Sequence, residues 1–117
     1  MQRGNEGIPV KTELTSEGMK LAPRLRRFVE KRIERLKGRY RELERVRLNF
    51  KRETPRKAGR SYSVNARLEL PGHDRIVEKR SSNLGQALTR VLDVAERQLR
   101  KRNRQYKAGR REPAMNF

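Results

Sequence analysis

The sequence contains no cysteine and only one histidine, His73. Without cysteine the chain can form no disulfide, no thiolate metal site and no cysteine nucleophile. One imidazole is too few for the histidine clusters that hold most protein-bound zinc ions. We therefore expect no metal, no cofactor and no small-molecule substrate.

Long apolar segments and aromatic residues are also scarce. No apolar run approaches the roughly 20 residues of a membrane span, and residues 1–7 lack the apolar core of a signal peptide. These absences predict a soluble, cytoplasmic protein with no membrane partner. Aromatic residues make up only 5% of the chain, which argues against a platform of exposed rings for stacking bases.

Basic residues dominate what is present. The 117 residues include 32 Lys or Arg against 14 Asp or Glu, a formal net charge of +18. The length fits one domain. Leu, Ile, Val and Phe together number only 25, close to the level at which chains remain disordered, so periodicity must show whether this one folds. The charge indicates a polyanionic partner.

Alternation of apolar and polar residues predicts four strands. They are expected at residues 8–14, 46–50, 62–70 and 74–80. In the fourth strand Ile76 and Val77 are adjacent, so the sequence does not decide which of them points into the core. Residues 52–60 hold Pro and Gly and no large apolar side chain, so they are predicted to form a loop.

Apolar residues that recur every three or four positions predict two helices. The first begins at Pro23, which suits the first helical position. The second is capped by Ser82 or Asn83 and is expected to end near Tyr106, before Gly109. The predicted core includes Leu25, Phe28, Val29, Ile33, Leu36 and Tyr40 from the first helix, Phe50, and Leu84, Ala87, Leu88, Val91, Leu92, Ala95 and Leu99 from the second.

The predicted order is β-α-β-β-β-α. Two amphipathic helices and one mostly antiparallel four-stranded sheet can each bury one face against the other, which predicts an α+β two-layer sandwich with both helices on one side. The domain organisation expected is a flexible N-terminal tail at 1–7, a folded domain at 8–107 and a basic C-terminal tail at 108–117.

Basic side chains occupy one narrow sector of each predicted helix when the chain advances about 100° per residue. Asp93 is expected to pair with Arg97, and Glu96 with Arg100, which leaves most of these bases unpaired. Arg offers a planar donor fork suited to phosphate oxygens, so we favour a polyanion surface over a merely solvated face. The sector residues are Arg24, Arg27, Lys31 and Arg35 in the first helix, and Arg90, Arg97, Lys101 and Arg104 in the second.

Neither zinc-finger spacing nor a leucine-zipper heptad is present. With few aromatics as well, recognition through backbone and shape remains, which favours structured RNA.

Several segments resemble the family of hibernation-promoting factor and ribosome-associated inhibitor A, also known as the sigma-54 modulation protein family. They are Leu21-Ala22-Pro23-Arg24-Leu25, Phe28-Val29, Arg32-Ile33-Glu34-Arg35-Leu36, Ala87-Leu88 and Ala95-Glu96-Arg97-Gln98-Leu99-Arg100-Lys101. The last is similar to the family signature Leu-Glu-Arg-Gln-Leu-x-Lys. The chain departs from the family at Ala22, where Ser or Thr is usual, at Gly85, where an aromatic is usual, and near Thr89, where an acid is usual.

The resemblance implies a fold related to double-stranded RNA-binding domains and a ribosome-binding translation inhibitor. Such a hibernation factor occupies the mRNA and A/P-site tRNA channel of the small ribosomal subunit during stress or stationary phase. Its partners would be the small subunit and the 70S ribosome, and it would be a monomer off the ribosome. The eight sector residues would contact rRNA, and the chain resembles the short form of the family.

Three alternatives are weighed against this function. A small ribonuclease would need His73, which we expect to be exposed in a turn that Asp74 serves, so we predict no enzyme activity. A free structured-RNA module would carry a Lys-rich cluster at residues 83–86, which are neutral here. A protein-binding transcription modulator would not need so large a charge.

Overall fold

Six elements follow one another in the predicted order. The computed structural model describes residues 11–53 and 61–115, the last ten as backbone only. The elements are β1 (Lys11–Glu17), α1 (Pro23–Arg39), β2 (Arg45–Glu53), β3 (Ser61–Glu69), β4 (Arg75–Ser81) and α2 (Leu84–Met115). The α+β sandwich expected from the sequence is confirmed.

The strands form one sheet in the order β1-β2-β3-β4. β1 is parallel to β2, and the two remaining pairs are antiparallel. Leu14, Leu48, Ala66 and Val77 lie in register across the sheet and point to its helical side. Val77 is buried whereas Ile76 is 64% exposed, so Val77 marks the inward face of β4.

The core lies between the sheet and the two helices. Its centre contains Phe50, which is fully buried, as the alternation along β2 predicts. Full burial of an aliphatic or aromatic side chain stabilises the fold by about 1.5–3 kcal/mol, so this layer supplies the main driving force. The helices contribute Val29, Ile33 and Leu36 from α1 and Ala87, Leu88, Val91, Leu92, Ala95 and Leu99 from α2.

The two helices begin differently. Ala22 precedes α1 with extended backbone and no capping side chain, and Pro23 follows at the first helical position. Asn83 precedes α2, and its Oδ1 accepts a hydrogen bond from the backbone N–H of Gln86 at 2.9 Å. Asn83 is therefore the cap of α2, and Ser82, the other predicted candidate, is not.

The structure extends β2 beyond its predicted end. β2 includes Arg52 and Glu53, which the sequence assigns to a loop, because both pair with β3 opposite Tyr62 and Ser61. Backbone pairing thus continues beyond the last apolar side chain. Residues 54–60 of that predicted loop, and residues 1–10 with the predicted start of β1, lie outside the described residues.

α2 continues past Gly109 to Met115, so the predicted stop near Tyr106 is wrong. A single Gly inside a helix costs only about 1 kcal/mol relative to Ala, and the preceding turns are rich in Arg, Lys and Gln, which favour helix.

Phe28 is not a core residue, contrary to the sequence prediction, because its side chain is 43% exposed. Along a helix Phe28 lies about 100° from Val29, and Val29, Ile33 and Leu36 already fill the sector that faces the sheet. The spacing that selected Phe28 places it at the edge of the apolar stripe.

Candidate nucleic-acid interface

α1 presents four predicted site residues to solvent. Arg24, Arg27, Lys31 and Arg35 are all exposed. Their sector is centred roughly 160° from the buried face of the helix, so these side chains project away from the sheet. The buried face holds α1 against the sheet and thereby holds the bases outward.

α2 presents the other four in the same manner. Arg90, Arg97, Lys101 and Arg104 are exposed, and the buried leucines and alanines occupy the opposite side of this helix. Both helices cover the same side of the sheet, so the eight residues share one layer of the molecule. We call Arg24, Arg27, Lys31, Arg35, Arg90, Arg97, Lys101 and Arg104 the basic helix face.

The two acids of α2 pair across the helices rather than along α2. Asp93 lies 3.4 Å from Arg32, and Glu96 lies 2.7 Å from Arg39. The predicted pairs with Arg97 and Arg100 are therefore wrong. The observed pairs advance in the same direction along both helices, so α1 and α2 run parallel with their flanks in contact.

This arrangement leaves the basic helix face without a counterion from any of the described side chains. Among the described residues, none of its eight side chains has a carboxylate within 4.0 Å. Arg102 differs, because it lies 3.5 Å from Glu42 and donates a hydrogen bond to the carbonyl of Pro71 at 2.9 Å. Arg102 thereby ties α2 to the β3–β4 turn.

The opposite side of the sheet carries paired charges. Glu13 and Glu69 flank Arg45 and Arg47, with N–O distances from 3.1 to 3.8 Å. The register places these residues in two adjacent rows on the face away from the helices. Exposed pairs of this kind contribute little stability, but they neutralise the field of that face.

The helical layer therefore carries most of the excess charge. α1 contains eight basic and two acidic residues, and residues 84–105 of α2 contain six basic and two acidic residues. Positive charge without adjacent acids attracts polyanions and raises their association rate.

The β3–β4 turn contains the single histidine, His73, and its neighbour Asp74. Gly72, which follows Pro71 in this turn, adopts a φ of +91°, a left-handed conformation that glycine tolerates. Asp74 accepts hydrogen bonds from Arg67 at 2.9–3.0 Å and from the backbone N–H of Leu70 at 3.3 Å. The hydrogen bond from Arg67 is the main reason that the pKa of Asp74 is held below its ordinary value. Asp74 thus serves the turn as predicted, and His73 beside it is exposed.

The structure places Phe28, which the sequence assigns to the core, at the surface beside Arg24 and Arg27. An open groove of about 630 Å³ at the start of α1 is lined by Phe28 together with Ala22, Pro23, Arg24, Leu25 and Arg27. A second groove, of about 260 Å³, runs between the helices beside Arg32, Arg35, Leu36, Arg39 and Glu96. On a helical wheel Phe28 lies beside the basic sector, so the sequence does indicate that Phe28 is close to these bases.

Neither a metal-binding cluster nor a helix able to span a membrane is found among the described side chains and helices. Among the side chains of 11–53 and 61–105, no group of three or more His, Cys, Asp or Glu could hold a metal ion. The helices described there include none that is both long and apolar enough to cross a membrane.

Comparisons with known proteins identify relatives of this fold. A ribosomal subunit interface protein from Coxiella burnetii superposes with a TM-score of 0.69 at 23% identity, covering 85% of this chain and 99% of that one. The N-terminal domain of Protein Y from Thermus thermophilus superposes with a TM-score of 0.60 at 23% identity, covering 80% of this chain and 98% of that one. No curated protein matches in sequence. Residues 12–107 match the family described as sigma 54 modulation protein / S30EA ribosomal protein, and the chain belongs to that family.

Proposed function

We propose that this protein binds the small ribosomal subunit through the basic helix face and inhibits translation. In this proposal it occupies the channel that otherwise holds mRNA and the A- and P-site tRNAs. It acts in the cytoplasm as a hibernation factor under stress or in stationary phase, and it is a monomer off the ribosome. Inhibition by occupancy requires no bond to be broken, so the protein needs no catalytic residue or cofactor.

The observation that carries the proposal is the unequal distribution of charge between the two sides of the fold. The sheet side pairs Arg45 and Arg47 with Glu13 and Glu69, whereas the basic helix face has no acidic partner among the described residues. Phosphate groups of rRNA supply the missing anions. Each phosphate contact releases condensed counterions, which makes such binding strong at low salt.

The rigid helices also suit a folded RNA target. Residues three or four positions apart on a helix, such as Arg27 and Lys31 or Arg97 and Lys101, have Cβ atoms about 5–6 Å apart. Long side chains on this spacing can reach several phosphates without ordering a flexible segment first. The printed description of the Coxiella burnetii relative as a ribosomal subunit interface protein supports the choice of partner.

Co-sedimentation tests the proposal directly. The purified protein is centrifuged through sucrose with isolated small subunits, large subunits or 70S ribosomes at low and high salt. We expect it to pellet with small subunits and 70S ribosomes at low salt and to be released as salt rises. Binding only to large subunits, or to none of the particles, would contradict the proposal.

Two double variants locate the binding surface. Arg97→Glu with Lys101→Glu reverses two charges on the basic helix face. Lys11→Glu with Lys51→Glu makes the same change in net charge at two exposed positions on the outer face of the sheet. We expect the first to weaken small-subunit binding at least about tenfold and the second to weaken it much less, because close contacts outweigh the general field of the protein. Equal losses would show that net charge alone determines binding.

Occupation of the channel has a separate readout. Small subunits saturated with the protein should fail to bind a labelled mRNA with initiator tRNA, and added protein should displace a complex already formed. If mRNA and tRNA bind normally while the protein remains on the particle, the binding site lies elsewhere.

The alternatives are distinguished in the same assays. Comparable affinity for an isolated RNA duplex and for small subunits would favour a free structured-RNA module. Binding that persists at high salt would favour a protein partner, because phosphate binding weakens steeply with salt.

A further inference from the structure

Phe28 is an exposed aromatic ring within a strongly basic surface. Two large apolar side chains are exposed in the described part of the chain, Phe28 at 43% and Ile76 at 64%. They lie on opposite layers, because Ile76 faces outward from β4. An exposed apolar side chain is common in itself, so the surroundings of Phe28 decide whether it has a role.

The surroundings of Phe28 combine apolar surface with positive charge. Its groove is lined by Ala22, Pro23 and Leu25 and by two bases, Arg24 and Arg27, and none of the described residues that line it is acidic. On the helix Arg24 precedes Phe28 by four residues and Lys31 follows it by three, so both share its side of α1. The ring therefore has cations before and after it along one line.

An RNA nucleotide has the complementary pair of properties. Its base offers a flat π surface for stacking on an aromatic ring, and its flanking phosphates offer anions at both ends. A neutral apolar partner would leave the three cations without anions, and an acidic protein segment would leave the ring without a flat partner. Bases inside a duplex are already stacked on both sides, so the occupant must be an unpaired base.

We propose that Phe28 stacks on an unpaired base of the RNA that binds the basic helix face, with Arg24, Arg27 and Lys31 holding the phosphates beside it. This inference rests on the proposed function, and it adds a contact with a base to a surface otherwise built for phosphates. The groove beside the ring holds the edge of the stacked base. One exposed ring is enough to favour an unpaired base over a paired one, so no extended aromatic platform is needed.

Fluorescence provides the test, because the chain contains no tryptophan. Phe28→Trp introduces one reporter at the proposed stacking position, and Ile76→Trp introduces one at an exposed position on the other layer. The probes are purified small subunits, a short single-stranded oligoadenylate, and a blunt RNA duplex of the same length. We expect the first two probes to quench the emission of the Phe28→Trp protein, the duplex to quench it much less, and none of them to quench the Ile76→Trp protein appreciably.

Affinity provides the second readout. Phe28→Leu keeps an apolar side chain on the helix but removes the ring, and it should weaken small-subunit binding by about 5- to 150-fold, the range that loss of one stacked base produces. Phe28→Tyr keeps the ring and should bind within about twofold of the wild type. Because Phe28 is partly exposed, thermal unfolding of both variants should stay close to that of the wild type.

The outcomes separate this inference from the proposed function. If the wild type sediments with small subunits, but Phe28→Leu binds equally well and Phe28→Trp is not quenched, the stacking contact is wrong and the proposed function stands. If the wild type does not sediment, but single-stranded RNA still quenches Phe28→Trp, the ribosomal partner is wrong and the stacking contact stands. Weaker binding without quenching would point to ribosomal protein at this position, and emission that changes with protein concentration alone would point to a second copy of the chain. Either result would overturn the inference.

Discussion

Neutralising two bases of the basic helix face should change the salt dependence of ribosome binding by a predictable amount. The perturbation is Arg97→Gln with Lys101→Gln, which removes two positive charges without adding acids. The basic helix face contains eight bases that have no carboxylate partner among the described residues. If each contacts one phosphate, log K falls with log salt at a slope between about −6 and −7, because each contact contributes about 0.7 to 0.9.

Loss of two contacts reduces the slope by about 1.5. From 50 to 200 mM monovalent salt, the wild type should lose about four orders of magnitude in affinity and the double variant about three. The matched control, Lys11→Gln with Lys51→Gln, removes the same amount of charge from the sheet side. Its salt slope should stay within about 0.5 of the wild-type slope.

Quantitative co-sedimentation over a series of salt concentrations measures both slopes. Free Mg²⁺ is held constant so that the ribosomal particles themselves do not change. A wild-type slope shallower than about −3 would mean that few of the eight bases reach phosphates. If the control shifts the slope as much as the helix variant does, the assignment of the interface to the helical layer is refuted.

The other predictions concern single contacts. Glu96→Gln removes the acid that pairs with Arg39 at 2.7 Å across the helices. Because the pair is partly exposed, the free energy of unfolding should fall by less than about 1 kcal/mol. Small-subunit affinity at low salt should rise, because Arg39 is released. Ala22→Ser should raise the free energy of unfolding by about 1 kcal/mol in urea denaturation, since the position before α1 is extended and lacks a capping side chain. Asp74→Asn should lower the thermal unfolding temperature at pH 7. The hydrogen bond from Arg67 lowers the folded-state pKa of Asp74, so the wild type has this stabilisation above about pH 4 and loses it as pH falls through the lowered pKa, and the difference between the two proteins should vanish in acid.

Much of the architecture follows from periodicity, because each element buries one face. Along β3, Val64, Ala66 and Leu68 alternate with polar residues and are buried as predicted. The apolar stripe of α2 from Ala87 to Leu99 is buried as well. In these segments the local pattern and the tertiary environment agree, so the sequence alone was sufficient.

Positions at the margin of a face could not be assigned in this way. Ile76 and Val77 are equally apolar neighbours, and only pairing with β3 shows that Val77 points inward. Phe28 satisfies helical spacing, yet the sector that contacts the sheet is already full. A helical wheel gives the direction of a side chain to within tens of degrees. The width of the helix face that contacts the sheet depends on the neighbouring elements.

The exposure of the basic helix face was predictable, but its charge partners were not. Spacing along α2 suggested that Asp93 and Glu96 neutralise bases of the same helix. In the fold they reach Arg32 and Arg39 on α1, because parallel packing brings the helix flanks closer than the solvent side. Partner choice depends on how the helices are packed, and this information is not contained in either helix alone. As a result, Arg97 has no carboxylate within 4.0 Å among the described residues.

The bases of the basic helix face repel one another, and this repulsion should lower the stability of the free protein. Added salt should therefore change stability and ribosome affinity in opposite directions. Lys31 lies four residues from both Arg27 and Arg35, and Lys101 lies four from Arg97 and three from Arg104. Each like-charge pair at such spacing destabilises a helix by about 0.2–0.5 kcal/mol at low salt, and screening weakens the repulsion. We therefore expect added salt to raise the unfolding temperature of the free protein while it lowers ribosome affinity, and Lys101→Gln to stabilise the free protein by several tenths of a kcal/mol while weakening binding. Differential scanning fluorimetry beside sedimentation measures both. An unfolding temperature that falls with salt would show that repulsion in this layer is negligible; the opposite trends would show that the layer is destabilised by charge repulsion, which either salt or a bound polyanion relieves.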